Sequence, residues 1–141
     1  MYLGTNGKYK FYAEEVSRCP QAKLDRIGTA CQKVEQDVWN AVESFSHYLT
    51  KQSALIYAKF DQEIIGFALF DLSLKNKTLI VAANECMVLK SHQGFGLPNL
   101  FTAILTSHIR KDNRLRKVKR SYNSITFVSS TVSFKLMSAF K

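Results

Sequence analysis

The stretch Glu85-Cys86-Met87-Val88-Leu89-Lys90-Ser91-His92-Gln93-Gly94-Phe95-Gly96-Leu97-Pro98 decides how the rest of the chain is read. It begins as an apolar strand and crosses two glycines spaced by one residue. It then continues into Leu97, Leu100, Phe101, Ile104, Leu105, His108 and Ile109, a three-and-four spacing that predicts an amphipathic helix. A strand that hands over to a helix through glycines exposes backbone N–H groups without intrahelical partners, at the positive end of the helix dipole. Such a turn binds phosphate. Glycine suits it because it permits positive φ and puts no side chain between the backbone and an anion. Two glycines alone also describe a plain structural turn, so the weight rests on what flanks them.

Upstream lie three β-like segments, Ala54 to Phe60, Glu63 to Leu74 and Thr78 to Leu89, joined by Asp61-Gln62 and Lys75-Asn76-Lys77. Connections that short permit only antiparallel neighbours, because a parallel crossover needs a dozen residues or more. The third segment is apolar on both faces, as a strand in the middle of a covered sheet should be, and Asn84 and Glu85 interrupt it. A buried carboxylate is costly unless paired, so Glu85 needs a partner or a role. Downstream of the helix, Ser124 to Ser129 reads as a strand, followed by a short helix from Ser130 or Thr131 carrying Val132, Phe134, Leu136 and Met137. Strand, helix, strand is a parallel crossover, which makes the sheet mixed.

Toward the N-terminus, Lys8 to Val16 alternates imperfectly and predicts a first strand. Pro20 suits the first turn of a helix, whose apolar stripe is Leu24, Ile27, Cys31, Val34, Val38, Ala41, Phe45 and Tyr48. Gly28 inside that stripe costs about 1 kcal/mol relative to alanine and predicts a bend or break there. Trp39 and the set Phe67, Phe70, Phe101 and Phe127 read as packing residues.

Apolar residues make up 46% of the 141, enough for one core in one domain, and no apolar run approaches the roughly 20 residues of a transmembrane helix. The first residues lack a basic start followed by an apolar block, so no secretory signal is expected and the location is expected to be cytoplasmic. Cys19, Cys31 and Cys86 lack C-x-x-C spacing and read as reduced structural thiols. His47 and His108 have no acidic or thiol neighbours at ligand spacing, so no metal is expected, and His92 reads as an exposed loop histidine. The formal charge is +9, but seven basic residues and one acidic between Arg110 and Arg120 account for +6 of it. That patch reads as a solvated linker, a contact for a nucleotide 3′-phosphate, or a nucleic-acid surface; only Leu115 and Val118 interrupt its charges, without the aromatics that nucleic-acid grooves interleave.

With these flanks, Glu85 to Leu97 resembles the central motif of the GCN5-related N-acetyltransferase superfamily. That pattern is Gln or Arg, two residues, Gly, one residue, then Gly or Ala; Gln93 and Gly96 fill the first and fourth positions, and Pro98 stands at the sixth. The order of strand, helices, three-stranded meander, helix, strand and helix from Lys8 to Lys141 is also similar to the family's. The resemblance implies an α+β fold: a mixed, mostly antiparallel sheet with one parallel strand pair and flanking helices, as a single domain over residues 1–141. The family continues with Gly-Phe and two further strands, so the domain is expected to be incomplete at its C-terminus: either the sequence is a fragment, or a homodimer or another strand-completing partner supplies the missing strands.

The activity so implied is acetyl-coenzyme A-dependent N-acetylation, the acetyl group passing directly to the nitrogen of a primary amine. The backbone of Met87, Val88 and Leu89 would pair with the pantetheine arm where two parallel strands splay. The amides of Gly94, Phe95, Gly96 and Leu97 would take the pyrophosphate, Gln93 and Asn99 are further cofactor-binding positions, and so is Ser130, which stands at the family's asparagine. Glu85, the one acidic residue on that strand, would serve as the base; a salt bridge or a surface position at a bulge is its alternative. Met137 stands where the family places a tyrosine and cannot donate a proton, leaving water or Tyr122 to protonate the departing thiolate. Pro98 removes one amide from the cradle. Two further readings therefore stay open: an acyl-coenzyme A-binding module without turnover, and a small basic nucleic-acid-binding domain.

Overall fold

Two-residue turns shape most of the sheet. In the computed structural model, which describes residues 1–39, 49–111 and 124–129, the chain forms β1 (Tyr2–Asn6), β2 (Tyr9–Glu15), a 3-10 turn at Val16–Arg18 and α1 (Gln21–Trp39). It continues as β3 (Ala54–Phe60), β4 (Glu63–Lys75), β5 (Thr78–Val88), a 3-10 turn at Lys90–His92, α2 (Leu97–Lys111) and β6 (Ser124–Ser129). Asp61 and Gln62 have φ of 48 and 70, and Asn76 and Lys77 have φ of 50 and 58. Both pairs are left-handed at both central positions, the type I′ geometry whose twist matches the flanking strands.

The six strands lie in sequence order, β1 to β6. The first four pairings are antiparallel and β5 with β6 is parallel, the α2 crossover supplying the length that a parallel return requires. This is the mixed sheet expected from the connection lengths. One strand went unanticipated: β1 precedes the predicted first strand and turns into it through Gly7, at φ 58. The Asn6-Gly7 pair is itself a hairpin signal.

Helices cover both faces. Leu24, Ile27, Cys31 and Val34 of α1 pack on Leu55, Tyr57, Phe67, Leu69 and Met87. On the other face, Leu97, Phe101 and Leu105 of α2 join Phe11, Ile56, Ala68, Phe70 and Val88. Gly66 lets α2 approach: a Cβ there would lie 3.1 Å from the Met87 carbonyl oxygen and 3.4 Å from Phe101 Cζ. Phe101 is fully buried beside it.

A bulge sets the faces of β5. Leu69 pairs with Glu85 and Phe70 with Ala83, so Asn84 is an extra residue. It shifts the alternation, so Leu79 and Val81 before it and Cys86 and Val88 after it all join the α2 side, while Met87 joins the α1 side. Asn84 Nδ2 donates to Gln52 Oε1 at 2.7 Å.

Two expectations fail. α1 runs unbroken through Gly28, which is buried; tertiary packing of that stripe outweighs the propensity cost. Trp39 is 54% exposed, because it falls off the flank of the stripe that half-buried Val38 continues. The predicted helical positions Ala41, Phe45 and Tyr48, the basic residues 112–120, Tyr122 and the final helix with Ser130 and Met137 lie outside the described residues. Among the described residues, no helix is long and apolar enough to cross a membrane.

Candidate functional site at the end of β5

Among the described residues, the β5–β6 ladder runs to Ala83 and Ser129, and β5 continues beside β4 to Val88, paired with Gly66. The chain then stays attached to the sheet: Leu89 N–H donates to the Ile65 carbonyl at 2.8 Å. Ile65 is the extra residue of a second bulge, in β4. Lys90 N–H donates to Asp37 Oδ2 at 2.9 Å, which anchors the exit from the strand to the last turns of α1. His92 N–H reaches the Leu89 carbonyl at 2.8 Å, and Gln93 Nε2 returns to the Val88 carbonyl at 3.0 Å. Gln93 thus fastens the turn to the strand end.

Gly94 and Gly96 then adopt φ of 87 and 75. Among the described residues, a Cβ on either would meet nothing within 4 Å, so the space above both is open. The first bond of α2 is Leu100 N–H to the Gly96 carbonyl, at 3.2 Å. The amides of Gly96, Leu97 and Asn99 therefore precede the helical ladder, and Pro98 has none to add. Leu97 is anchored in the core at 1% exposure, and the first turn of α2 holds no acidic residue. Open glycines, amides ahead of a helix and no competing carboxylate fit a bound phosphate.

Along the strand, the backbone of Met87, Val88 and Leu89 runs up to this turn. The Met87 and Val88 side chains are buried in opposite cores, which leaves main-chain groups as what they could offer a ligand. Glu85 is half-buried on the α1 face next to the bulge, about 10 Å of extended chain from Val88. Its charge reaches across to Cys31 of α1 and to Cys86. Burial first, and that carboxylate second, push the Cys31 thiol far up and the Cys86 thiol up to about 12. Both thiols are therefore protonated and unsuited to nucleophilic attack. Phe95 is 56% exposed on the turn, and Asn99 is exposed on the first turn of α2. Ser130 lies outside the described residues, so the site is assembled here from β5, the turn and α2 only.

Two features escaped the sequence. The first corrects His92, which is half-buried rather than a free loop residue. Its Nδ1 lies 2.9 Å from the Tyr9 hydroxyl, and its ring packs on Tyr9 and Phe60. Lys8 Nζ stands 4.6 Å from the Phe95 ring centroid and 5.2 Å from that of Phe60, so the β1–β2 turn buttresses the glycine turn. Residues more than eighty positions apart in the chain carry no local signal of this. The second is Glu14, only 9% exposed, whose Oε1 accepts from the N-terminal ammonium at 2.8 Å, Lys23 at 2.7 Å and the Tyr57 hydroxyl at 3.1 Å. Burial raises its pKa, but the ammonium groups of Lys23 and the N-terminus outweigh burial and hold it below the usual value. The same carboxylate, after burial itself, pushes the Tyr57 hydroxyl up.

These elements together have the fold of the GCN5-related N-acetyltransferases, as the sequence resemblance implied. No protein-family profile matches the chain, and no curated protein matches it by sequence. Solved structures do match. A ribosomal-protein-alanine N-acetyltransferase from Brucella melitensis biovar Abortus 2308 superposes with a TM-score of 0.62 at 12% identity, over 94% of this chain and 90% of that one. An integron cassette protein from V. cholerae gives 0.60 at 12% identity, over 96% and 83%. The aminoglycoside N-acetyltransferase AAC(6')-Iy, in complex with CoA, gives 0.58 at 15% identity, over 97% and 90%.

Proposed function

We propose that the protein is a cytoplasmic acetyl-coenzyme A-dependent N-acetyltransferase, a single domain that passes an acetyl group directly to a primary amine. The observation that carries this reading is the turn itself. Gly94 and Gly96 hold positive φ under open space at the head of α2, fastened by Gln93 to the end of β5, in a fold shared with N-acetyltransferases.

In this reading the backbone of Met87, Val88 and Leu89 lines the pantetheine arm, the amides of Gly94, Phe95, Gly96 and Leu97 take the pyrophosphate, and Gln93, Asn99 and Ser130 are further cofactor-binding residues. Bound acetyl-coenzyme A would supply the activated acyl group. Glu85 takes the proton that an ammonium acceptor must lose before it can attack. No cysteine is needed, in keeping with the raised thiols of Cys31 and Cys86.

The test is the release of free thiol from acetyl-coenzyme A across a broad amine panel, together with the cofactor's effect on the melting temperature. Wild type should show both. Glu85→Gln should keep the thermal shift and lose roughly 100-fold or more in turnover. Absence of a shift at millimolar cofactor would overturn the proposal. A shift without turnover would instead establish the second reading, an acyl-coenzyme A-binding module, which the departures from the family's pattern at Met137 and Pro98 favour.

A further inference from the structure

A cleft of about 480 Å³ opens between α1 and the β3–β4 hairpin. Its walls carry Lys23, Arg26 and Lys33 from α1 and Lys59 from β3, facing Gln62 and Glu63. Lys23 is already engaged by Glu14. Among the described residues, Arg26, Lys33 and Lys59 have no carboxylate at ion-pair distance, so their charges outnumber Glu63 in the lining. Lys59 is steadied by the Tyr12 ring, 5.0 Å from its Nζ. Lys23 and Arg26 stand three residues apart on the helix, where like charges repel. Ala30, between Arg26 and Lys33, leaves room that a longer side chain would fill. The floor is apolar, with Ile27, Val34, Ile64 and Leu89.

The cleft meets the strand that leads to the turn only at Leu89, and neither Glu85 nor any of residues 93–99 lines it. At about 100° per residue, Lys23, Arg26, Ala30 and Lys33 share one flank of the buried stripe of α1, while Glu35 falls on the other. A concave wall of one sign of charge over a low-dielectric floor focuses its field on whatever enters. We propose that the cleft is a second binding site, for a small organic anion bearing a carboxylate or phosphate on an apolar body. Nothing in it depends on the acyl-transfer reading.

The test uses phenyl phosphate as probe, titrated into the isotope-labelled full chain and followed by backbone amide shifts. Saturable shifts are expected at Lys23 to Lys33 and Lys59 to Ile64, weakening several-fold as salt rises from about 50 to 300 mM. The combined variant Arg26→Gln, Lys33→Gln, Lys59→Gln should weaken them about tenfold or more. Lys33→Gln alone, at an exposed position, provides the same direction of change should the combined variant fold poorly. Phosphate held at the glycine turn would shift Gly94 to Asn99 instead and survive these substitutions. Benzyl alcohol should not compete, and inorganic phosphate should bind more weakly than phenyl phosphate. Shifts confined to the turn, shifts unchanged in the variants, or equal binding of the neutral probe would overturn the proposal.

Discussion

The hairpin turns and the glycine turn both hold residues at positive φ, but different kinds of residue. Asp61-Gln62 and Asn76-Lys77 hold β-carbons at positive φ, where the left-handed region costs about 1–2 kcal/mol per residue. They tolerate it because ladder pairs close on both sides, Phe60 with Glu63 and Lys75 with Thr78, and determine the turn from outside. Gly94 and Gly96 lie between a strand end and a helix head, with no ladder to hold them. They are not glycine for lack of room within the chain, since a Cβ on either meets nothing. Gly66 is the reverse case, glycine because Met87, Val88 and Phe101 crowd it. The difference separates a glycine required by packing from one that leaves backbone exposed to something outside the chain.

The largest effect should come from Gly66→Val, which forces side-chain bulk under α2 and should destabilise by about 3 kcal/mol, read as a lower melting temperature. If it is silent, packing does not explain that glycine. Next, Gly94→Ala or Gly96→Ala should cost about 1–2 kcal/mol each from φ alone. Either should also abolish the thermal shift with acetyl-coenzyme A; an undiminished shift would reduce the turn to a structural one. Smaller still, Lys77→Gly or Asp61→Gly should change stability by less than about 1 kcal/mol, because relief at positive φ is offset by a freer unfolded chain.

The last prediction concerns Glu14 and is read as a pH dependence. Its folded pKa lies below its unfolded value, so its contribution is present above the unfolded pKa and is lost as pH falls through the folded one. Chemical denaturation from neutral to acid should therefore show a loss of stability in the acidic range that Glu14→Gln flattens. An unchanged acid limb would remove Glu14 from the groups that hold α1 to the sheet. The contrast with the turns is instructive: Glu14 is satisfied by groups within the chain, whereas the amides of Gly96, Leu97 and Asn99 precede any helical partner.

Local patterns were legible wherever neighbouring residues carry the information. The two polar dipeptides Asp61-Gln62 and Asn76-Lys77 fall where the type I′ turns are, and Asn84-Glu85 marks the bulge that keeps β5 in phase with both cores. β1 was overlooked because five residues with weak alternation carry little periodicity, although Asn6-Gly7 pointed to the turn. The continuity of α1 through Gly28 and the exposure of Trp39 depend on which face meets the sheet, which propensity does not contain.

The sequence by itself determined the meander, the parallel return to β6 and the glycine turn at the head of α2, because connection length, hydrophobic period and positive-φ residues are local constraints. Only the tertiary structure decided what surrounds them. It set His92 against Tyr9 and Lys8 over Phe95, tied Glu14 to Lys23 and Tyr57, and ranged Arg26, Lys33 and Lys59 around one cleft. Those contacts join residues on different elements, and the sheet order and the path of α1 across its face, rather than their spacing in the chain, bring them together.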